Sequence, residues 1–378
     1  MYTYHLRKRE NLKGHHWQII VEGDPDPLTG KRNRKYKTVS GTKKEADVEA
    51  RKMIMELENG GIAKPSALKV ADWMLKWLEL YTPNIEETTR CGYKEGINSR
   101  LIPELGSIPL KSLSTSHIQS WVNRLSSRLA PKTVKNVFLN LKQALDKAYV
   151  LRMIPYNPCT GVELPKLVKP KHEIYDSNEI SIALDAAKGT DMYLILLLAL
   201  SVGLRRGELL ALRWEDINFK KKTISVVENR VLAGGEEITK APKSKAGLRT
   251  ITIGNKVLSE LKKAQIQYLE KKETMGNRFF DSGLVICKED GKGYYPDAIT
   301  RKWSRFVKQK NLKKIRFHDL RHSCATAMIE AGIDPKTVQQ RMGHADISVT
   351  MNIYAHCTKT MDTRAAEAMD KMIFAKAI

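Results

Sequence analysis

The sequence predicts a mainly α-helical protein with small β-sheets, divided into three parts. With 378 residues, the chain is longer than one compact domain usually is. Its hydrophobic content of 42% is enough to build buried cores. Two regions with helical patterns are separated by a segment that contains Pro155, Pro158, Pro165 and Pro170. Proline removes a backbone donor and breaks helices. We therefore place the clearest domain boundary in this proline-rich linker.

Residues 1–64 are predicted to form a small β-sheet followed by one helix. Trp17, Ile19 and Val21 occupy every second position, which roughly suits a half-buried strand. The segment that follows is rich in proline and glycine. Such residues cannot continue a strand, so we predict a turn there. The chain then returns as a second strand over Lys35–Val39, with basic residues on its outer face.

A capping box starts the helix of this first part. Thr42 and Glu45 have the required spacing, and the predicted helix runs to about Asn59. Gly60 and its glycine neighbour stop the helix, and Pro65 begins a linker.

Residues 65–165 are predicted to form four short helices. Their apolar residues recur with the 3.6-residue period of amphipathic helices. These positions include Val70, Trp73, Met74, Trp77, Leu78, Ile118, Trp121, Val122, Val134, Val137, Phe138, Leu141 and Leu145. Pro131 is at the first position of the last helix, and Lys132 and Lys135 lie largely off its apolar stripe. The pattern predicts a helical bundle with a basic outer face.

Residues 172–378 form the largest part, which is mostly helical with a strand section around Thr223–Ile253. The longest apolar run, Met192–Leu200, is too short to cross a bilayer and is predicted to be a buried helix. The last segment, Thr360–Ile378, carries apolar residues at helical spacing. These are Met361, Ala365, Met369, Met372 and Ile373.

The net charge of +23 is spread over all three parts. This distribution predicts contact with a polyanion such as double-stranded DNA, whereas a basic tail would concentrate the charge at one end. Basic side chains on the small sheet could enter a DNA groove, and the helical part could clamp the duplex. A solvated basic surface is the alternative. The candidate DNA-contacting residues are Lys31, Arg32, Arg34, Lys35, Lys37, Lys132 and Lys135.

The remaining composition argues against several classes of site. The five cysteines are scattered and form no C-x-x-C pair, which argues against a disulfide framework or a zinc site and suits a reducing cytoplasm. The first residues lack the apolar core of a signal peptide. There is no G-x-x-x-x-G-K-[ST] loop for a nucleotide and no cluster with convincing metal-ligand spacing. We therefore expect no metal, no cofactor and no membrane partner.

Short strings in the last part carry unusual sets of polar residues. In Ser201–Leu212 an apolar helix ends in glycine, Arg205 follows, and a new helix begins at once. Arg205 would therefore project from a rigid helix junction, with Glu208 three residues on to orient it. The alternative is that Arg205 only caps the apolar helix, where a cation is favourable.

Two further strings lie near the end of the chain. His318 and Arg321 are three residues apart, so on a helix they share one face. His344 follows a glycine, and Tyr354 comes ten residues later. A fourth string, Lys240–Arg249, is a glycine-containing turn between strand-like runs.

These four strings, in this order, resemble the catalytic domain of tyrosine recombinases, and most of all the integrases of temperate phages and conjugative transposons. The resemblance covers residues 172–360. Its specific part is H-x-L-R-H-S followed by G-H-x₉-Y, whereas G-L-R-x-x-E-L alone is weak. The resemblance implies an arm-type DNA-binding domain at 1–64 and a helical core-binding domain at 65–165. Residues 172–378 would be an α+β catalytic domain with a C-terminal tail.

The resemblance also implies a role for each residue at the scissile phosphate. Tyr354 would be the nucleophile, forming a 3′-phosphotyrosine link and releasing a 5′-hydroxyl. Arg205 and Arg321 would hold the non-bridging oxygens of the phosphate. His344 would hydrogen-bond the phosphate, and Glu208 would support Arg205.

The leaving 5′-oxygen would receive its proton from a lysine. Lys243 is preferred because it precedes the turn at the family's usual place, and Lys245 is the alternative. His318 would assist proton transfer.

These residue types suit the chemistry independently of the resemblance. Guanidinium groups are always charged and match phosphate with paired donors, so two of them in a dry site stabilise the charge of the transition state. A free tyrosine has a pKa of about 10 and needs nearby cations or a base to react. An alkoxide leaving group needs a proton donor. The covalent link conserves the phosphoester energy, so rejoining needs no ATP.

By the same resemblance, the protein would integrate and excise a mobile element as a homotetramer on attachment-site DNA in the bacterial cytoplasm, associated with the nucleoid. An excisionase and a host DNA-bending protein are possible partners. The tail Thr360–Ile378 would pack either on its own domain or on a neighbouring subunit. A type IB topoisomerase shares the chemistry and is the first alternative, and a non-catalytic DNA-binding regulator is the second. The separate first part and helical clamp favour site-specific exchange.

Overall fold

The computed structural model describes residues 2–9, 15–24, 33–58, 68–167, 173–242, 245–354, 366–367, 369–370 and 372–374. Helices predominate and the sheets are small, as predicted. The chain divides into two compact units, Met1–Val168 and Lys169–Ile378. The boundary predicted near residue 65 lies outside the described residues.

The first unit begins with a three-stranded antiparallel sheet in the order β1-β2-β3. Its strands are β1 (Thr3–Lys8), β2 (His16–Gly23) and β3 (Asn33–Ser40). Helix α1 (Lys43–Glu58) packs against the sheet and buries Ile19 and Val21, which confirms the predicted half-buried strand. The predicted capping box is also confirmed, because the Glu45 N–H donates to Thr42 Oγ1 and the Thr42 N–H donates to the Glu45 carboxylate.

The strand register corrects the predicted placement of two lysines. Lys35 lies opposite Val21 and Lys37 opposite Ile19 in the β2–β3 pair. Residues that face each other across a pair share one side of the sheet. Lys35 and Lys37 therefore lie on the side that α1 covers, and Lys37 donates to the Glu49 carboxylate of that helix at 2.5 Å. The prediction that both lie on the outer face is wrong, although both remain exposed on this edge strand.

Helices predominate in the rest of the described first unit, with a short π-helical turn over Ile97–Leu101. They are α2 (Val70–Leu80), α3 (Glu87–Gly96), α4 (Ile102–Leu105), α5 (Thr115–Ser126) and α6 (Pro131–Val150). Their core buries the predicted apolar stripe, including Trp73 and Trp121. Pro131 is the first residue of α6, as predicted.

The second unit combines helices with two small sheets. Its helices are α7 (Ser177–Ala187), α8 (Met192–Ser201), α9 (Arg206–Ala211), α10 (Asn255–Met275), α11 (Pro296–Gln309), α12 (Phe317–Glu330), α13 (Pro335–Met342) and α14 (Ile347–Tyr354). Its strands are β4 (Ile217–Asn218), β5 (Thr223–Val226), β6 (Asn229–Ala233), β7 (Glu236–Lys240) and β8 (Arg249–Thr252). The strands pair as β4-β5-β8 and as a β6–β7 hairpin.

Helix α8 lies in the core of the second unit. Ile195, Leu196 and Leu198 are fully buried there, which confirms the predicted buried helix. Within the described residues, no helix is both long and apolar enough to cross a membrane. The same residues contain no cluster of three or more His, Cys, Asp or Glu side chains placed to hold a metal ion.

Candidate active site

Arg205 lies at the junction between α8 and α9, as its sequence context predicts. Its backbone N–H donates to Glu208 Oε2 at 3.0 Å, and its Nη1 donates to Glu208 Oε1 at 2.5 Å. Glu208 is only 3% exposed. The chain can turn here because Gly203 adopts a φ of +75°, a conformation that side chains disfavour. Glu208 therefore orients Arg205 from inside the protein.

A second arginine that sequence reasoning missed binds the same carboxylate. Arg249, the first residue of β8, donates from Nη2 to Glu208 Oε2 at 2.9 Å and from Nη1 to Oε1 at 3.2 Å. This is the paired geometry that makes guanidinium–carboxylate contacts strong. Burial alone would raise the pKa of Glu208, but the hydrogen bonds and charges of Arg249 and Arg205 lower it to about 2. Glu208 is thus ionised throughout the physiological range.

Arg321 on α12 supplies a third guanidinium. It is 3% exposed and donates to the carbonyls of Gly203 and Met342. Burial, followed by the charge of Arg205, lowers the pKa of Arg321 to about 9, so it remains a cation at neutral pH. Among the described residues, three guanidiniums and the carboxylate of Glu208 therefore share one small region. Their net charge suits an anionic ligand.

The C-terminal end of α13 binds all three arginines. The last carbonyls of a helix have no partner within it and form the negative end of the helix dipole. Three consecutive carbonyls here accept from three guanidiniums: Arg341 O from Arg249 Nε at 2.8 Å, Met342 O from Arg321 Nη2, and Gly343 O from Arg205 Nη2 at 2.6 Å. The helix end therefore sets the spacing of the cations. We call these three residues, Arg205, Arg249 and Arg321, the arginine cluster.

His344 lies directly beside the arginine cluster. It follows Gly343, which ends α13 in the left-handed conformation at a φ of +64°. The imidazole is 8% exposed, and its Nδ1 lies 2.9 Å from Oγ1 of Thr350, a fully buried residue of α14. Burial, and then the charges of Arg321 and Arg205, lower the pKa of His344 to about 4. At neutral pH the ring is therefore uncharged.

His318 lies on α12, one turn before Arg321, so the two residues share a face as predicted. Its side chain is exposed. The ring lies edge-on to that of His322, with centroids 5.1 Å apart. Partial desolvation, followed by the charges of His322 and Arg321, lowers the pKa of His318 to about 4. An uncharged, exposed imidazole thus lies one helical turn from Arg321.

Tyr354 is the last residue of α14, four residues after Thr350. A rise of 1.5 Å per residue puts it about 6 Å along the helix axis from Thr350. The helix packs against α12 and α13, the helices that carry Arg321 and the carbonyls described above. The side chain of Tyr354 lies outside the described residues.

The two candidate lysines also fall at the limit of what the structure describes. Lys243 lies outside the described residues, and so does the side chain of Lys245. The backbone of Lys245 begins a 3₁₀ turn, Lys245–Gly247, that leads into β8 and Arg249. The backbone of Lys245 is therefore four residues before Arg249 of the arginine cluster along the chain.

The candidate DNA-contacting residues belong to the first unit. Arg34 lies on the open face of the sheet, where it forms an ion pair with a glutamate of β2. On α6, Lys132 is exposed and Lys135 is half-buried. Lys31 and Arg32 lie outside the described residues.

Residues 173–361 match the family described as "Phage integrase family". This match covers half of the chain and includes the arginine cluster, His344 and Tyr354. The chain belongs to the phage integrase family. A second description, "Phage integrase, N-terminal SAM-like domain", fits residues 69–126. These residues cover most of the helical part of the first unit.

Individual relatives extend the similarity over most of this integrase-family chain. The tyrosine recombinase XerC-like protein of Caldanaerobacter subterraneus subsp. tengcongensis is 28% identical over 88% of this chain and 90% of its own length. A solved structure of the Tn1549 transposon integrase in complex with transposon right end DNA is 26% identical, with a TM-score of 0.66 over 79% of this chain and 98% of that one. The lambda integrase tetramer bound to a Holliday junction shares the fold, at 20% identity and a TM-score of 0.59, over 92% of this chain and 94% of that one.

Proposed function

We propose that this integrase-family protein is a site-specific tyrosine recombinase that cuts and rejoins DNA to integrate and excise a mobile element. The observation that carries the proposal is the arginine cluster: three guanidiniums, one buried carboxylate and an uncharged His344 in the unit whose helix α14 ends at Tyr354. Such a site has more positive than negative charge, and a DNA phosphate would balance it. The resemblance to the Tn1549 transposon integrase supports the mobile-element assignment.

The proposed reaction begins with attack by the Tyr354 phenol oxygen on the scissile phosphorus. The bond from phosphorus to the 5′-oxygen breaks, which leaves a 3′-phosphotyrosine link and a free 5′-hydroxyl. Arg205 and Arg321 would bind the non-bridging oxygens, whose charge grows in the transition state. His344, which is uncharged at neutral pH, would donate a hydrogen bond to one of these oxygens. A 5′-hydroxyl from the partner strand then reverses the same steps and rejoins the DNA.

Proton transfer would involve the loop before β8 and the imidazole of His318. The phenol must lose a proton and the 5′-oxygen must gain one. Lys243 is the proposed donor to the 5′-oxygen, and Lys245 is the alternative. His318 would assist, since its exposed, uncharged imidazole can accept a proton and pass it on.

The first unit would hold the DNA around this site. We assign residues 1–64 to arm-type DNA binding, residues 65–165 to the core-site clamp and residues 172–378 to catalysis. Arg34 on the open sheet face is the preferred groove contact, because Lys35 and Lys37 share the side covered by α1. Lys132 and Lys135 would bind the phosphate backbone along α6, and Lys31 and Arg32 would extend the contacts of the sheet.

The assembled form would be a homotetramer on two duplexes, as in the lambda integrase tetramer on a Holliday junction. The described residues of the C-terminal tail support packing on a neighbouring subunit, because Met369, Met372, Ile373 and Phe374 are exposed in the single chain. An excisionase and a host DNA-bending protein would set direction. The protein would act on the bacterial nucleoid in the cytoplasm.

A suicide substrate tests the proposed chemistry. A core-site duplex nicked beside the cleavage position releases a short strand after attack, so the covalent adduct accumulates. Wild-type protein and a control, Tyr156→Phe at an exposed tyrosine of the first unit, should both form the adduct. Tyr354→Phe should bind the duplex with the same Kd and form none.

Three outcomes would contradict the proposal. Adduct formation by Tyr354→Phe would show that another residue is the nucleophile. Relaxation of arbitrary supercoiled DNA by single subunits would favour a type IB topoisomerase. Footprints without cleavage by the wild type on its own attachment sites would favour a non-catalytic regulator.

A further inference from the structure

A buried hydroxyl faces the ring of His344 from the helix that ends at Tyr354. Thr350 has no exposed surface, and its Oγ1 lies 2.9 Å from Nδ1 of His344. A buried polar group loses its hydration, so it is stable only when it is hydrogen-bonded. The pair of Thr350 and His344 therefore satisfies both groups, and which of the two donates depends on the tautomer of the imidazole.

Burial, and then the charges around His344, lower the pKa of the ring and keep it neutral at pH 7. Arg321 and His322 face it from α12, Arg205 from the junction before α9, and Arg249 from β8. All four of these groups are cationic or uncharged, and each of them disfavours a second proton on the ring. A neutral imidazole has one N–H donor and one acceptor nitrogen. The remaining question is which of the two ring nitrogens of His344 carries the proton.

We propose that Thr350 is a positioning residue: its hydroxyl donates to Nδ1 of His344 and so fixes the proton on Nε2. This inference rests on the proposed function, in which His344 donates to the scissile phosphate. With Nδ1 accepting from Thr350, the Nε2–H is free to donate to a phosphate oxygen bound by the arginine cluster. In the opposite tautomer, Nδ1–H would donate to Oγ1, and the Nε2 lone pair would face the anion and repel it. Thr350 thus sets the donor before DNA arrives.

The hydrogen bond between Thr350 and His344 also concerns the position of Tyr354, the proposed nucleophile. Thr350 and Tyr354 lie one helical turn apart on α14. When the Thr350 hydroxyl is bonded to His344, α14 is held against the end of α13 that binds the arginines. A threonine at this position therefore serves both the phosphate donor and the helix that presents the phenol.

The tautomer can be measured in the full-length wild-type protein without DNA. Histidine ¹⁵N NMR at pH 7 separates protonated from unprotonated ring nitrogens, and the signals of His344 are those lost in His344→Asn. We expect a protonated Nε2 and an unprotonated Nδ1. A protonated Nδ1 would overturn the proposal. Since this measurement needs neither cleavage nor a substituted Thr350, it stands even if a Thr350 variant fails to fold.

Two substitutions of Thr350 test the consequence for cleavage. Thr350→Ser keeps the hydroxyl, whereas Thr350→Val keeps the shape and removes it. Hydrogen-bond partners of metal-bound histidines are typically worth roughly 10- to 100-fold in metal affinity or activity, and by analogy we expect a loss of that order for the valine variant. The cleavage rate at saturating suicide substrate should fall for Thr350→Val with an unchanged Kd for DNA, while Thr350→Ser stays close to wild type.

The outcomes separate this inference from the proposed function. A valine variant that cleaves at the wild-type rate, or a serine variant as slow as the valine variant, would overturn the role of the hydroxyl. A wild-type protein that forms no adduct, or a Tyr354→Phe protein that forms one, would overturn the recombinase chemistry instead. In either of those two cases the ¹⁵N spectrum still decides the tautomer of His344.

Discussion

Replacing Glu208 with glutamine removes one negative charge from the centre of the arginine cluster while preserving the shape of the side chain. The carboxylate is 3% exposed and accepts hydrogen bonds from Arg205 and Arg249. The negative charge of Glu208 also acts on Arg321, whose pKa it raises. In Glu208→Gln, three guanidiniums would remain close together without an anion between them. We expect the second unit to lose stability and Arg205 to lose its orientation.

The pKa of Glu208 gives the magnitude of this loss. The value falls from 4.5 to about 2 in the folded protein, and this difference corresponds to about 3 kcal/mol of preferential interaction with the ionised form. Because the folded pKa is the lower one, this stability is fully present above the unfolded pKa. It is lost as the pH falls from 4.5 through about 2. At pH 7 the variant should therefore unfold with a free energy about 3 kcal/mol smaller than the wild type.

Urea unfolding at pH 7, read by hydrogen exchange in peptides of α9 and β8, isolates the second unit from the first. Glu215→Gln is the matched control, since the Glu215 side chain is 80% exposed and 4.0 Å from its cationic partner. The control should change stability by less than about 0.5 kcal/mol. A loss for Glu208→Gln that is no larger than that of Glu215→Gln would refute the electrostatic reasoning.

Three other predictions concern Arg249, Gly343 and the proposed lysine donor. Arg249→Lys keeps the charge but not the paired donors, so single-turnover cleavage should slow in this variant and slow further in Arg249→Met; a wild-type rate in Arg249→Met would show that Arg249 has no part in orienting Arg205. In Gly343→Ala, a Cβ would lie 2.9 Å from Arg249 Nη1 at a φ of +64°, so both stability and cleavage should fall. Gly332→Ala, with a φ of +82° and open space around its Cβ, should lose only stability, and equal cleavage by the two variants would argue against the steric explanation. A substrate with sulfur in place of the bridging 5′-oxygen needs no proton donor, so it should restore cleavage to Lys243→Ala, and rescue of Lys245→Ala alone would identify Lys245 as the donor.

Local sequence signals predicted the parts of the fold that depend on local physics. The capping box of Thr42 and Glu45, the apolar period of α6 and the buried helix α8 each follow from residues within a few turns of one another. The hydrogen bond from Arg205 to Glu208 is also a local feature. The two residues are three positions apart at the start of a helix, and this spacing defines their relative position. A single sequence therefore sufficed for these features.

Contacts between distant segments of the chain could not be predicted from local sequence signals. Arg249 meets Glu208 across 41 positions of the chain, and the sequence shows Arg249 only as the end of a basic turn. The side of the sheet taken by Lys35 and Lys37 depends on the register with β2, which a one-residue shift would reverse. Both features are set by tertiary pairing, and an isolated sequence leaves that pairing open.

The arrangement of the arginine cluster explains why the site combines stability with affinity for an anion. Three guanidiniums in a largely buried region repel one another. Burial, followed by this repulsion, lowers the pKa of Arg321 to about 9. Glu208 cancels one charge, and the three carbonyls at the end of α13 supply only the partial charges of a helix dipole. Within the part of the chain that the structure describes, the charge of the cluster is therefore compensated incompletely. In the proposed reaction a DNA phosphate supplies the missing negative charge, and the charge that develops on its oxygens in the transition state strengthens the same contacts.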